Sequence, residues 1–450
     1  MSRPHELGGG KIPAGARPAG SGRTTVTTSP PRRQPLALGI DVGTSGVRAA
    51  LVDAAGTVVS ANGVGYPPDA DRRDPETWWR AVSACLQGLA AERLASVTGV
   101  AVDGTSGTML GLDAAGAPVG PAIMYDDPCS DASILSAIAS AAPGDSTARG
   151  HSSALARAIV LQRRPGVGRV LHQADFIAAR LAGIDGVSDA NNALKTGYDP
   201  VAEAWPDWIG AAGMDVSLLP PVMRPGTPVA RLGPLAETLG LPGDAILYAG
   251  TTDGCASFLA TGASEPGDGV TALGSTLVLK LLTDRPVSAP RYGIYSHRIG
   301  DVWLAGGASN AGGAAIARFF DEAAIRSLTP QLAPDRPTGL DYYPLTRPGE
   351  RFPVNDPQLA PRLEPRPEDD AQFLQGLLEG IAAIEALGYR RLAELGAPAL
   401  RSVRTVGGGA ANAAWATIRA GQLKVPLLPA RSVEAAAGTA RLALPQEIGA

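Results

Sequence analysis

Short apolar segments separated by glycine turns open the folded part of this sequence. Residues 36–40 form an unbroken apolar run that ends in the polar turn 41–46, and residues 47–52 continue it. After a further turn comes another short run, residues 57–60. Short apolar or β-branched runs bounded by glycine are typical of strands. The pattern therefore predicts a β-meander at the start of the fold.

The same layout recurs in the second half, where residues 270–273 and 277–281 flank the turn 274–276. Apolar periodicity of the helical kind predicts further elements, and Asp74 with Pro75 marks one helix start. The predicted helices are 75–94, 131–141, 153–162, 170–181, 312–324, 368–395 and one after 409; further strands are 97–102, 108–112, 245–249, 303–305 and 403–406. Strands and helices mixed in both halves predict α/β domains that face a cleft.

Composition and charge narrow the function classes. Hydrophobic residues make up 45% of the 450 residues, which is typical of a globular protein. A net charge of −4 gives no basic surface for nucleic acid or anionic membrane, and no apolar run approaches the length of a membrane span. The cysteines Cys85, Cys129 and Cys255 are far apart and form no CxxC pair, so we expect reduced thiols and a cytoplasmic location.

The first 35 residues differ from the rest of the chain. They carry six basic residues and one glutamate among glycine, proline, serine and threonine, with almost no large apolar side chain. Such a segment cannot bury enough apolar surface to offset the entropy of ordering. Residues 1–35 are therefore predicted to be a disordered basic leader.

Two polar glycine turns are candidate phosphate sites. The turn 43–46 (Gly-Thr-Ser-Gly) follows a buried strand, and 274–276 (Gly-Ser-Thr) repeats the device. Glycines let backbone N–H groups converge on phosphate oxygens, and the hydroxyls add donors. Asp41, just before the first turn, would repel phosphate, so a sensible role is to hold Mg²⁺ beside it. The alternative is an ordinary hairpin with a turn aspartate.

Asp253 is the candidate general base. It follows the strand 245–249 and the turn 250–252, where α/β folds place reacting groups. Transfer of a phosphoryl group to an alcohol needs a carboxylate to accept the hydroxyl proton. The alternative reading is a helix-capping aspartate.

Two further turns have ligand-binding chemistry. Residues 103–107 combine donors and acceptors suited to the hydroxyls of a polyol, or form a solvent-facing turn. Residues 407–412 join a strand to a helix that carries Trp415, a junction suited to a nucleotide or to close packing. Trp415 either stacks on adenine or fills the core.

Taken together, these motifs resemble the FGGY family of carbohydrate kinases over residues 36–445. The likeness is closest to its D-ribulokinase (xylulose kinase-like) branch of cyanobacteria and plants, and rests on LGIDVGTSGVRAALVD, VDGTSGTML, PAIMYDD, NNALKTGYDP, GTTDG, TALGSTLVLKL, RYGIYSHR, WLAGGASNAGG and VGGGAANAAW. The resemblance implies an α/β fold of two ribonuclease H-like domains, of the actin, hexokinase and heat-shock chaperone ATPase type, that flank a catalytic cleft.

Site residues follow from the resemblance position by position. It implies Asp253 as the catalytic base and Asp41 with Asp253 as metal ligands. The implied substrate contacts are Asp41, Ser45, Gly46, Ser106, Asp253 and Gly254, and the implied ATP contacts are Gly43, Thr44, Ser45, Gly274, Ser275, Thr276, Gly408, Gly409, Asn412 and Trp415. Gly254, where a hydroxyl or amide residue is more usual, and Pro128-Cys129, in place of an arginine-containing loop, depart from the family pattern.

The expected activity is transfer of the γ-phosphoryl group of Mg-ATP to the terminal hydroxyl of a ketopentose, giving D-ribulose 5-phosphate from D-ribulose. Residues 36–263 would bind sugar and phosphate, residues 264–450 the nucleotide, and the protein would be a monomer or homodimer. The alternatives are a kinase for xylulose, ribitol or glycerol, and a non-catalytic nucleotide-binding protein of the actin-like fold.

Overall fold

The computed structural model describes residues 34–144 and 146–444. Apart from its last two residues, the predicted leader lies outside the described residues.

The first sheet forms around a strand that is buried along its whole length. Within residues 34–144 and 146–444 this sheet is seven-stranded, with the order β3-β2-β1-β4-β10-β9, and β11 pairs with β4. Its strands are β1 (Leu36–Val42), β2 (Gly46–Val52), β3 (Val58–Gly65), β4 (Val97–Gly104), β9 (Pro228–Arg231), β10 (Ile246–Tyr248) and β11 (Thr251–Thr252). Strands β1 to β3 pair antiparallel, which confirms the predicted meander, and β4 lies parallel to β1.

Two small ladders accompany this sheet. They pair β5 (Met109–Leu112) with β6 (Arg169–His172), and β7 (Ser188–Asp189) with β8 (Val222–Met223). The helix predicted over 170–181 is wrong at its start, because Arg169–His172 pairs antiparallel with β5 and the helix begins only at Gln173. A partner more than fifty residues away leaves no mark on local periodicity.

The second sheet repeats the core of the first. In the described part of the chain it is six-stranded, with the order β14-β15-β13-β12-β16-β17. Its strands are β12 (Asp268–Leu273), β13 (Leu277–Thr283), β14 (Tyr295–Ile299), β15 (Val302–Ser309), β16 (Ser402–Val406) and β17 (Leu427–Leu428). Strand β12 pairs antiparallel with β13 and parallel with β16, as β1 does with β2 and β4. In both halves a polar turn therefore joins the first two strands.

Helices cover both sheets. They are α1 (Pro75–Gln87), α2 (Ala91–Leu94), α3 (Ala132–Ala141), α4 (Ala154–Gln162), α5 (Gln173–Ala182), α6 (Ala190–Leu194), α7 (Trp208–Ala211), α8 (Pro234–Thr238), α9 (Asp253–Ala260), α10 (Gly313–Ala317), α11 (Glu322–Leu328), α12 (Asp370–Glu394), α13 (Ala413–Leu423) and α14 (Ala435–Arg441). Asp74 caps α1 with Pro75 in the first turn, as predicted, but the helix ends near Gly88. None of the helices in the described residues is long and apolar enough to cross a membrane.

Helix α14 returns from the end of the chain to the first sheet, where it packs on β1, β2, β4 and α9. The approach is close: a Cβ at Gly39 would lie 1.9 Å from the carbonyl oxygen of Ala436, and a Cβ at Gly438 would lie 1.9 Å from that of Ala256. Only glycine allows these backbones to touch. The domain boundary predicted at 263/264 falls between α9 and β12. Helix α14 follows this boundary in the sequence but packs on the first sheet. The division itself stays a prediction.

Candidate active site

Three aspartates lie at the ends of adjacent strands. Asp41 on β1 is directly opposite Asp103 on the parallel strand β4. Thr251 on β11 pairs with Asp103 in turn, and Asp253 follows as the first residue of α9. The carboxyl ends of parallel strands are where α/β folds gather reactive groups. The sequence predicted Asp41 and Asp253 here, and it did not single out Asp103.

Asp41 and Asp103 are nearly inaccessible to solvent, with exposures of 6% and 0%. Burial raises the pKa of Asp41 to about 6, the adjacent Asp103 carboxyl opposes this shift, and the charge of Asp253 adds to it. Burial, followed by the charge of Asp41, raises the pKa of Asp103 well above its usual range. At neutral pH Asp41 is therefore mostly ionised, whereas the surroundings of Asp103 favour its neutral form.

Asp103 is held from the far end of the chain. The hydroxyl of Thr439 on α14 donates a hydrogen bond to its Oδ2. Its Oδ1 is buried and has no hydrogen-bond partner within residues 34–144 and 146–444. The floor of the site thus joins β1, β4 and α14.

The donor chemistry here fits a hard cation that shares its coordination with a ligand. In the described residues, no group of three or more His, Cys, Asp or Glu side chains could hold a metal ion by itself. Mg²⁺ does not need one, because it is usually bound by one or two carboxylates together with phosphate oxygens and water. Asp41, ionised above pH about 6 and close to Asp253, has the chemistry of such a ligand.

In the first turn the backbone carbonyls are hydrogen-bonded, whereas the donors of Thr44 and Ser45 are free. Gly43 N–H donates to the carbonyl of Gly46 at 3.0 Å, and the carbonyl of Ser45 accepts from the N–H of Tyr66 at 3.0 Å. The Tyr66 hydroxyl donates to the carbonyl of Gly43 at 3.2 Å, and Arg72 donates to that of Thr44 at 3.2 Å. Thr44 and Ser45 are exposed, and no hydroxyl or N–H of theirs is bonded in the part of the chain that the structure describes. These free donors suit an anion.

The second turn is built the same way. The carbonyls of Gly274 and Ser275 accept from the N–H groups of Gly313 at 2.8 Å and Ala314 at 3.1 Å. Among the described residues, the hydroxyls and N–H groups of Ser275 and Thr276 have no partner. Both predicted phosphate turns therefore present unpaired donors.

Asp253 lies between carboxylates and lysines. Its Oδ1 accepts from the N–H of Gly254 at 2.7 Å, and its Oδ2 has no partner among the described residues. Lys280 on β13 donates to the carbonyl of Gly254 and so links the second sheet to the start of α9. The charge of Asp253 also acts on Lys195. The sequence predicted neither lysine, and their rarity in this chain is the signal that could have found them.

A cavity of about 580 Å³ lies near this cluster, because its lining includes Lys195, on which the charge of Asp253 acts. Its lining includes Ser106, Tyr125, Arg157 and Lys195 from the first half and Tyr295 from the second. The Ser106 hydroxyl is buried without a hydrogen-bond partner among the described residues, as expected of a group that binds a ligand. The guanidinium of Arg157 holds the wall, donating to the carbonyls of Gly107 at 3.2 Å, Asp127 at 3.3 Å and Tyr125.

The predicted nucleotide residues divide into two kinds. Gly408 is exposed and Gly409 partly so, in a 3₁₀ turn (Gly408–Ala411) after β16 that a ligand can approach. Asn412 caps α13, its Oδ1 accepting from the N–H of Trp415 at 3.0 Å. Trp415 is 4% exposed and its indole N–H donates to the carbonyl of Leu378 at 3.1 Å. This burial favours the core-filling reading of Trp415 over stacking on adenine.

The family models for carbohydrate kinases match both halves of this chain. It belongs to the FGGY family of carbohydrate kinases: the N-terminal domain model matches residues 36–141 and the C-terminal domain model residues 269–445.

Individual relatives are named xylulose kinases. That of Streptomyces coelicolor is 29% identical over 277 residues, which are 57% of this chain and 56% of that protein. That of Escherichia coli K12 is 26% identical over 413 residues, or 84% of this chain and 83% of that protein. The chain thus spans little more than half the length of the Streptomyces protein. The narrower resemblance to the D-ribulokinase branch stays a prediction.

Solved structures confirm the fold. The xylulose kinase from Rhodospirillum rubrum superposes with a TM-score of 0.76 at 24% identity, covering 90% of this chain and 89% of that one. The expected two-domain α/β fold of the actin and hexokinase type is therefore correct.

Proposed function

We propose that this protein transfers the γ-phosphoryl group of Mg-ATP to the terminal hydroxyl of an open-chain ketopentose. The observation that carries the proposal is the cluster of Asp41, Asp103 and Asp253 at three neighbouring strand ends, beside a turn with free donors. Phosphoryl transfer needs little covalent chemistry from the protein, so positioning and charge are the features to look for.

The turns would bind the phosphates of the nucleotide. Thr44 and Ser45 on one side, with Ser275 and Thr276 on the other, offer the unpaired donors described above. Asp41 and Asp253 would hold Mg²⁺, and the bound ion would offset the negative charge of the phosphates. Gly408 and Gly409 would provide the open backbone next to the rest of the nucleotide.

Asp253 would accept the proton of the attacking hydroxyl. Its Oδ1 is fixed by the N–H of Gly254 at 2.7 Å, and this leaves Oδ2 for the acceptor. A carboxylate oriented by one bond and free on its other oxygen has the geometry that a general base requires. Ser106, whose hydroxyl is unpaired within the described residues, would bind the ketose in the adjoining cavity.

The acceptor is proposed to be a pentulose, with D-ribulose first and D-xylulose second. The motifs resemble the D-ribulokinase branch, whereas the named relatives are xylulose kinases. The two sugars differ in configuration at one carbon, so one panel separates them. We propose measuring ADP release in a coupled assay with D-ribulose, D-xylulose, ribitol and glycerol.

The role of Asp253 is tested by Asp253→Ala. We expect kcat to fall by roughly 10²- to 10⁴-fold, the usual contribution of a general base, with ATP binding retained. Asp284→Asn, at an exposed aspartate, is the matched control and should leave both unchanged. Normal turnover by Asp253→Ala would show that the base is another group.

The rival from a different class is a non-catalytic nucleotide-binding protein of the same fold. It would bind Mg-ATP, yet no polyol in the panel would stimulate ADP release.

A further inference from the structure

Lysine is rare in this chain and is concentrated at Asp253. The sequence has four lysines among 39 basic residues. Two of them, Lys195 and Lys280, lie close enough to Asp253 or to its neighbour Gly254 to interact with them. A lysine ammonium is a compact charge with three donors, whereas arginine presents a planar fork. In a chain that otherwise uses arginine, these positions therefore favour a small, freely oriented donor.

The two lysines differ in what they bind. The ammonium of Lys280 donates to the carbonyl of Gly254, and a Cβ at Gly254 would lie 3.1 Å from its Nζ. Lys280 thus fills the space of the side chain that is more usual at position 254. Lys195 is partly buried, but its ammonium has no hydrogen bond or ion pair among the described residues. Lys195 lines the cavity that contains the unpaired hydroxyl of Ser106.

Lys195 is mounted on a rigid segment. It follows α6, whose residue Asn191 donates to the Thr251 hydroxyl at 2.9 Å and to the Arg298 carbonyl at 2.8 Å. Asn192 donates to the carbonyl of Thr251 at 3.1 Å. Both asparagines are fully buried, and both are bonded to the residue two positions before Asp253. The spacing between Lys195 and Asp253 is therefore fixed by the fold.

We propose that Lys195 binds the acceptor, donating hydrogen bonds from its ammonium to sugar oxygens next to the hydroxyl that Asp253 deprotonates. This inference rests on the proposed function. An ammonium that is partly removed from water without a partner is costly, and a polyol in the cavity would supply the missing acceptors. Burial lowers the pKa of Lys195, and the charge of Asp253 opposes this shift.

Competitive labelling tests the contact without any need for turnover. The full-length protein is trace-labelled with acetic anhydride at neutral pH, alone, with Mg-ATP, or with D-ribulose or D-xylulose, and each lysine is quantified by mass spectrometry. At about ten times Kd, the sugar should lower labelling of Lys195 roughly tenfold. Lys424, which follows α13 outside the cavity, is the internal control and should not change. Unchanged labelling with both sugars, or protection by Mg-ATP alone, overturns the proposal.

Kinetics of Lys195→Met supply a second, independent measurement. Loss of hydrogen bonds from a charged donor should raise KM for the sugar by roughly 10- to 100-fold, while KM for ATP stays near the wild-type value. Lys424→Met should change neither. An equal rise in both KM values would place Lys195 at the phosphates and refute the contact. If the wild type phosphorylates no sugar, the proposed function fails, and the labelling result alone still decides the role of Lys195.

Discussion

Replacing Asp41 by asparagine should stabilise the folded protein at neutral pH. Burial raises the pKa of Asp41 to about 6 from the ordinary aspartate value of 3.8. Each pKa unit corresponds to about 1.4 kcal/mol, so the shift represents about 3 kcal/mol. Because the raised pKa means that the folded state holds this proton more tightly than the unfolded state, stability falls as pH rises from about 4 to about 6 and is level above that. The neutral asparagine has no such loss.

Urea unfolding followed by tryptophan fluorescence measures this effect. In buffers with EDTA, the stability of Asp41→Asn relative to wild type should be near zero at about pH 4 and reach about 3 kcal/mol at about pH 7. The control is Asp284→Asn, because a hydrogen bond from Arg285 lowers the pKa of that exposed aspartate instead. A difference for Asp41→Asn that stays constant or shrinks with rising pH would refute the reasoning. The same variant should lose kinase activity, since a proposed metal ligand is gone.

Two further variants test the packing around the site. Trp415→Phe removes the bond to the Leu378 carbonyl, so it should cost about 1–3 kcal/mol in urea unfolding and leave KM for ATP within about twofold; a large rise in that KM with unchanged stability would instead support stacking on adenine. Asn191→Ala leaves the partly buried N–H and carbonyl of Arg298 without their partner, which should cost about 1–3 kcal/mol per group at most. Urea unfolding of Asn191→Ala indistinguishable from wild type would show that this link between α6 and β14 is not needed.

Local pattern was enough for most of the fold. Strand β1, the meander after it and the long helix α12 were predicted to within a few residues, because their apolar runs and caps are local signals. The predicted helix 312–324 is instead two helices, since Asp321 caps a new one by accepting from the N–H of Ala324 at 2.7 Å. Strand β14 was missed, because its alternation of polar and aromatic residues has meaning only beside β15.

The site shows the same division. Asp41, Ser106 and Asp253 lie next to strand ends and glycine turns, so they could be selected as candidates from sequence neighbours alone. Asp103 and Lys195 could not be selected in this way. They are distinguished by burial and by missing hydrogen-bond partners, and both of these arise only in the assembled fold. A buried carboxyl oxygen without a donor has no signature in a linear chain.

The position of α14 also constrains how this protein is made. The ribosome would synthesise the strands of the first sheet several hundred residues before the helix that covers them. Gly39 therefore has no helix packed against it until residues 435–441 have been made. Asp103 likewise acquires its only hydroxyl donor among the described residues from Thr439 at that moment. A nascent chain therefore cannot form the contact between Thr439 and Asp103 until its last helix has been synthesised. The proposed catalytic activity would be one of the last properties that the polypeptide gains.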